Sequence, residues 1–171
     1  MPQKPKLQTS LKRHTSKAEA LDIGTLGEAL VAQWLCDRGW LLLQKRWHCR
    51  WGELDLVVGQ PSAQLPTQPI ALAFVEVKTR SQGNWDSDGA LAITARKRSK
   101  LWKTAQLFLA DHPDWAELPC QFDVALVCCR YKPQLTAQPT VLSDDVSQER
   151  RAIASYSLTL QDYIPAAFTL D

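Results

Sequence analysis

The chain has 171 residues, 45% of them hydrophobic, and a formal net charge of +2. That size suits one domain around one core and leaves no room for two catalytic domains. A charge so near neutral does not announce a nucleic-acid binder, so a basic surface has to come from local clusters. No run of about eighteen apolar residues occurs, and a transmembrane helix is not expected. The five cysteines, Cys36, Cys49, Cys120, Cys128 and Cys129, form no CxxC pair and have no histidine at zinc-ligand spacing. They read as reduced thiols of a cytoplasmic protein.

Met1 to Lys17 carries Lys4, Lys6, Lys12, Arg13 and Lys17 with no acid, and includes Pro2 and Pro5. It is too poor in apolar residues for a core element and lacks the apolar stretch of a secretory signal, so 1–17 reads as a disordered basic arm and 18–171 as a single domain. The first periodic segment predicts a helix from Ile23 to Arg38, with Asp22 as N-cap and Gly39 as the stop. Gly24, Val31, Ala32 and Leu35 share one face of it, and Glu28 falls in the middle of that face. An unpaired acid there would cost several kcal/mol, so it needs a partner.

Trp40 to Trp47 and Glu53 to Val58 read as strands, with Trp51-Gly52 as the turn between them. Gln60 to Pro69, with three prolines, reads as a loop or hairpin tip. Ile70 to Thr79 is an apolar run of the kind found in a strand covered on both faces. Ser81 to Gly89 is a polar loop, followed by a helix over about Ala90 to Ala110. Its expected core stripe is Leu91, Ala95, Trp102, Ala105 and Leu109, with Arg96, Lys100 and Lys103 opposite and Lys97 at the border. Gln121 to Cys129 is a further central strand, Lys132 to Gln148 is irregular, and Ile153 to Phe168 supplies a last strand or two. This order predicts an α/β sandwich with a mixed central sheet flanked by helices.

Alternation along a strand puts Glu76 and Lys78 side by side, because residues i and i+2 share a face. If the strands around the proline-rich loop pair as a hairpin, Asp55 meets Glu76 across the ladder, and Glu28 reaches the same place from the helix. Three carboxylates beside a lysine raise one another's pKa unless a cation neutralises them. Mg²⁺ or Mn²⁺ would do so and leave positions for a phosphate, which suits phosphodiester hydrolysis. Glu53 remains a rival to Asp55, since alternation places both on one face.

These residues resemble a known pattern. Glu28, Asp55 and Glu76-x-Lys78 are arranged as in the PD-(D/E)xK nucleases and look most like the archaeal Holliday-junction resolvases. The fuller set resembles the YraN-like family of bacterial predicted endonucleases: Gly24-x-x-Gly27-Glu28, Gly52-Glu53-x-Asp55, Phe74-Val75-Glu76-Val77-Lys78-x-Arg80, Lys97 with Leu101 and Ala105, and Phe122-Asp123-Val124. The resemblance implies a restriction-endonuclease-like sandwich with Asp55, rather than Glu53, as ligand.

The expectation is a cytoplasmic, Mg²⁺- or Mn²⁺-dependent endonuclease on DNA, with branched DNA as one substrate. Asp55, Glu76 and Glu28 hold metal, Lys78 assists the attacking water, and Arg80, Lys97, Arg96, Lys100 and the basic arm supply phosphate contacts. A homodimer would suit the cutting of two strands. The competing readings are a non-catalytic nucleic-acid-binding protein with the same fold, and RNA as substrate. At residue level, Glu76-x-Lys78 could serve plain surface cross-strand ion pairing, and Glu28 could pair with Lys78 or Arg80. The basic helix residues could be a solvated face, and Asp123 could bond a neighbouring backbone group instead of supporting a metal. Trp47 is assigned to the core, while Trp51 and Trp85 are left between core and base stacking. His14, His48 and His112 are given no role.

Overall fold

A computed structural model describes residues 17–81, 93–131 and 156–168. The basic arm before Lys17, the loop beyond Ser81 with Trp85, the helix start at Ala90 and Leu91, and Lys132 to Gln148 lie outside the described residues. Five strands form one sheet in the order β1-β2-β3-β4-β5: Leu41–Cys49, Gly52–Pro61, Pro69–Ser81, Cys120–Tyr131 and Tyr156–Phe168. The pairing is antiparallel except between β3 and β4, which are parallel. The sheet is therefore mixed, and the parallel pair is bridged by α2, Ala95–Asp111, as a parallel crossover requires.

Helix α1, Lys17–Cys36, covers one face of the sheet. Its Val31, Ala32 and Leu35 pack with Leu56, Val58, Ala73, Val75, Ala125 and Val127. Helix α2 covers the other, where Leu101, Ala105 and Phe108 meet Leu54, Val57, Phe74, Phe122, Val124 and Leu126. Strands β2, β3 and β4 are buried on both faces because a helix lies on each, which is why they read as nearly continuous apolar runs.

Three expected boundaries shift. Helix α1 begins at Lys17 instead of Ile23, so Asp22 is inside the helix and not its N-cap. Lys17-Ala18-Glu19-Ala20-Leu21 are all good helix formers and extend it. The helix ends at Cys36, short of the expected Arg38, and the chain turns away at the expected stop, with Gly39 at φ 85 and Trp40 N–H donating to Leu35 O at 3.1 Å. Helix α2 starts at Ala95, capped by the Thr94 hydroxyl, which accepts from Lys97 N–H. Its buried stripe is Leu101, Thr104, Ala105 and Phe108, an i, i+3, i+4, i+7 set. The expected stripe was rotated from this one: Ala95 is exposed and Trp102 is 42% exposed. Between β2 and β3 the proline-rich stretch closes as a hairpin, with strand pairing continuing to Pro61 and Pro69.

Strand β5 is one strand, and Asp123 on β4 fastens it. This carboxylate, fully buried, accepts from Tyr163 O–H at 2.6 Å, Ala166 N–H at 2.9 Å and Gln121 Nε2 at 2.9 Å. Of the two readings of Asp123, the bond to a neighbouring backbone group is seen, from Ala166 on β5.

Candidate active site

The β2–β3 ladder ends at the pair Leu56 and Val75. One step further lie Asp55 and Glu76, and there the strands part. In place of a ladder bond, Val77 N–H donates to Asp55 Oδ2 at 2.8 Å. Asp55 is 8% exposed and sits at the fork where the sheet opens. Alternation also lapses here, since Leu54 belongs to the α2-side core while Leu56 belongs to the α1-side core. Period-2 spacing therefore does not hold through Asp55, and the two acids differ in burial, Asp55 being buried and Glu53 half-exposed though still close enough to act on Glu28. Glu53 is turned to the half-exposed surface, where His48 Nε2 lies 2.6 Å from its Oε2.

Glu76 and Lys78 lie on β3, in a segment whose intervening Val77 packs with the α1-side core. The Glu76 side chain is 12% exposed, and Lys97 Nζ reaches its Oε1 at 3.1 Å from the first turn of α2. Its other oxygen, Oε2, is buried and has no hydrogen-bond partner among the described residues. The border position expected for Lys97 is where it stands, half-exposed with its ammonium turned to the strand.

Glu28 comes from α1, and its side chain is 16% exposed. Its ionic partner is Arg46 at 3.7 Å, not Lys78 or Arg80. Arg46 also donates to Thr25 Oγ1 at 3.2 Å. This arginine stands opposite Asp55, between the pairs Lys45–Leu56 and Trp47–Leu54, with a φ of 48. A left-handed backbone is unusual at a non-glycine residue and is held only when the surroundings over-determine it.

Helix α1 can approach β3 this closely because residue 27 is glycine. A Cβ there would lie 2.1 Å from Thr79 Oγ1, which is itself buried without a partner. The glycine thus sets the height of Glu28 above the strand.

The acids feel one another. Burial, then the neighbouring Glu76 and at lesser strength Glu28, push Asp55 up to about 7 against the pull of the Val77 N–H bond. Burial also raises Glu28, opposed by Arg46 and reinforced by Glu53 and Glu76. Burial lowers Lys78, opposed by Glu76 and reinforced by Arg80 and Lys97. Among the described residues, no three Asp, Glu, His or Cys side chains stand as a ready-made metal-holding group. Glu28, Asp55 and Glu76 interact electrostatically, but each carboxylate is tied to its own protein partner.

Whether these residues suit a divalent cation turns on the donor set. Mg²⁺ keeps several waters and takes one or two carboxylates, so Asp55 and Glu76 suffice without a third ligand. The partnerless Glu76 Oε2 and the raised Asp55 are what a carboxylate pair shows when it lacks such a counter-charge. The donors therefore fit.

Among the other expected phosphate contacts, Lys100 lines a groove of about 380 Å³ with Lys97, whereas Arg80 and Arg96 are exposed and do not line it. Trp47 is in the core as expected, edge-on to Phe108 at 5.5 Å. Arg46 and His48 were not foreseen. Nothing in the run Lys45-Arg46-Trp47-His48 marks a residue of left-handed φ, and His48 gains its partner only through the β1–β2 pairing.

Residues 27–127 match the model of a family described as the uncharacterised protein family UPF0102. A UPF0102 protein of Acaryochloris marina is 46% identical over 166 residues, covering 92% of this chain and 96% of that protein. One from Trichodesmium erythraeum is 45% identical over 175 residues, with 94% and 96% covered. A third, from a Nostoc species, is 46% identical over 148 residues, with 86% and 94% covered.

Proposed function

The chain belongs to the UPF0102 family, and from the site described above we propose that it is a Mg²⁺- or Mn²⁺-dependent endonuclease that hydrolyses phosphodiester bonds in DNA. The observation that carries this reading is the buried, partnerless Glu76 Oε2 beside a carboxyl raised to about 7. A buried acceptor left unsatisfied costs about 1–3 kcal/mol, which a cation would recover. Support also comes from the layered fold, a mixed sheet with a helix on each face, which agrees with a restriction-endonuclease-like sandwich. Among the described residues no helix is long and apolar enough to cross a membrane. The cytoplasmic location and a homodimer are part of the same proposal.

Asp55 and Glu76 would hold the cation, and Glu28, which acts electrostatically on both, would be the third acid of the set. When bound, it supplies Lewis-acid polarisation of the scissile phosphate and screens the charge that develops on its oxygens. Lys78, next to Glu76 and with its ammonium made easier to deprotonate by burial, orients the attacking water and can accept or donate its proton. Lys97 neutralises Glu76 and would be placed to engage a phosphate oxygen beside it. Glu28 is kept within reach by Arg46, and Val77 N–H fixes the rotamer of Asp55.

The test is cleavage of linear, flap, single-stranded and four-way-junction DNA with Mg²⁺ or Mn²⁺, beside Glu76→Ala and Lys78→Ala. Cleavage that both substitutions reduce at least about 100-fold is expected, in line with loss of a main electrostatic contributor. No cleavage of any substrate, or cleavage that survives both changes, refutes the proposal. Binding without cutting would instead favour a nucleic-acid-binding protein.

A further inference from the structure

The groove of about 380 Å³ begins where the acids end. Lys97 forms part of its wall and also touches Glu76, so groove and site are continuous. Its other walls include His48 at the end of β1, Trp51 on the turn, Glu53 at the start of β2, and Lys100 and Thr104 from α2. The mechanism above uses none of these except Lys97.

Trp51 is the unusual member. It is 40% exposed, on a turn where its own N–H donates to Cys49 Sγ at 3.3 Å. Lys103 Nζ lies 4.8 Å and the Arg50 guanidinium 5.4 Å from the centre of its ring. An indole in that position is of no use to the core, where Trp47 already packs from the same strand pair. Among the described residues the groove thus offers a large flat ring, four nearby cations in Arg50, Lys97, Lys100 and Lys103, and one lining acid, Glu53, already paired to His48, with Glu76 beyond Lys97 at its inner end.

We propose that this groove binds unpaired nucleotides of a DNA strand, one base stacked on Trp51 and the adjoining phosphates on Lys100, Lys103 and Lys97, so that the strand leads into the acidic site. The inference rests on the nuclease reading and deepens it by naming the substrate class. The chemistry matches on both counts. Base faces stack on an indole whatever their sequence, and a basic groove follows the backbone. The bases of an intact duplex have their faces covered by one another, and only an unstacked base can reach a ring on the protein surface. Of the two cations now lying against Trp51, Lys103 and Arg50, the Lys103 ammonium would move outward onto phosphate when the base takes its place.

The experiment measures fluorescence anisotropy in EDTA, so that no cutting occurs. The probes are labelled oligothymidylate, a blunt duplex of equal length, and oligouridylate, with wild type, Trp51→Ala and Trp51→Phe. Oligothymidylate should bind more tightly than the duplex. Trp51→Ala should weaken it about tenfold, the typical worth of one stacked base, and change duplex binding less than about twofold. Trp51→Phe, which preserves a ring and guards against a folding defect, should retain most of the affinity. Equal losses on strand and duplex, or no loss in Trp51→Ala, overturns the proposal. Tighter binding of oligouridylate than of oligothymidylate overturns the choice of DNA. Because no metal is present, failure here is separable from failure of the cleavage assay: a protein that cuts but ignores Trp51 loses only this inference, and one that binds strand without cutting loses only the nuclease.

Discussion

Replacing Asp55 with Asn should make the protein more stable in EDTA at pH 8 while abolishing cleavage. Asn keeps an oxygen to accept from Val77 N–H, so the 2.8 Å bond survives and only the charge is lost. Burial and the nearby Glu76 push Asp55 from 3.8 up to about 7. Between roughly pH 4 and 7 the folded chain therefore holds a proton that the unfolded chain has released. The stability from this group is full below about pH 4 and is lost as pH rises through about 7. The gap corresponds to about 4 kcal/mol at most, and side-chain relaxation and water entry reduce it to about 2–4 kcal/mol. For a domain of this size that is a rise in Tm on the order of 5–15 °C at pH 8. At pH 4 the substitution should change Tm little, because the wild-type carboxyl is protonated there. Calorimetry or circular-dichroism melts across this pH range measure both ends. If the proposed site holds Mg²⁺, a millimolar concentration should raise the Tm of wild type at pH 8 and leave Asp55→Asn nearly unmoved. An Asn variant no more stable than wild type at pH 8, or equally stabilised at pH 4, would refute the electrostatic account of the site.

Two further substitutions probe how the scaffold holds the site. Gly27→Ala would gain about 1 kcal/mol from helix propensity were there room, but its Cβ would fall 2.1 Å from Thr79 Oγ1. A net loss of about 1–3 kcal/mol is expected in urea unfolding. In a Thr79→Ala background the same change should be neutral or stabilising, and a loss that persists there would rule out the contact as its cause. Tyr163→Phe removes the 2.6 Å donor to buried Asp123 and should cost about 1.5–3 kcal/mol of stability while leaving the cleavage rate of folded protein unchanged. A fall in that rate with stability intact would place Asp123 in the site after all.

The sheet was legible because its central strands advertise themselves. Strands β2, β3 and β4 are covered on both faces, and continuous apolar runs are how such strands read. The placement of Glu76 and Lys78 on one face of β3 follows from a period of two, which holds along that strand where Ala73, Val75 and Val77 all face the α1-side core. It fails at Asp55, where the β2–β3 ladder stops and Leu54 and Leu56 pack into opposite cores. Alternation assumes an unbroken ladder, so it could not separate Asp55 from Glu53. The stripe of α2 was misread for a related reason. Trp102 is the largest apolar side chain of its turn, yet it flanks the core, with its ring 6.1 Å from that of Phe122, while the small Thr104 is fully buried. Thr104 can be buried because its hydroxyl donates to Lys100 O at 2.8 Å within the helix. Hydropathy ranks residues by type and does not register a polar group satisfied by its own backbone.

The partners of the acids were the least legible part, and they explain how the chain folds around such a cluster. Each acid has its own protein-supplied counterpart: the Arg46 guanidinium for Glu28, the Lys97 ammonium for Glu76, and the Val77 N–H for Asp55. Two come from elements distant in sequence, β1 and α2, and the third comes from backbone freed by the fork in the sheet. These contacts offset the desolvation of the acids only in part, which leaves Glu76 Oε2 without a partner and Asp55 raised. A fully satisfied network would have no reason to exchange Lys97 or Arg46 for another cation. Incomplete compensation keeps the fold intact while leaving the carboxylates ready for a stronger counter-charge, and stability measured with and without Mg²⁺ reads that balance directly.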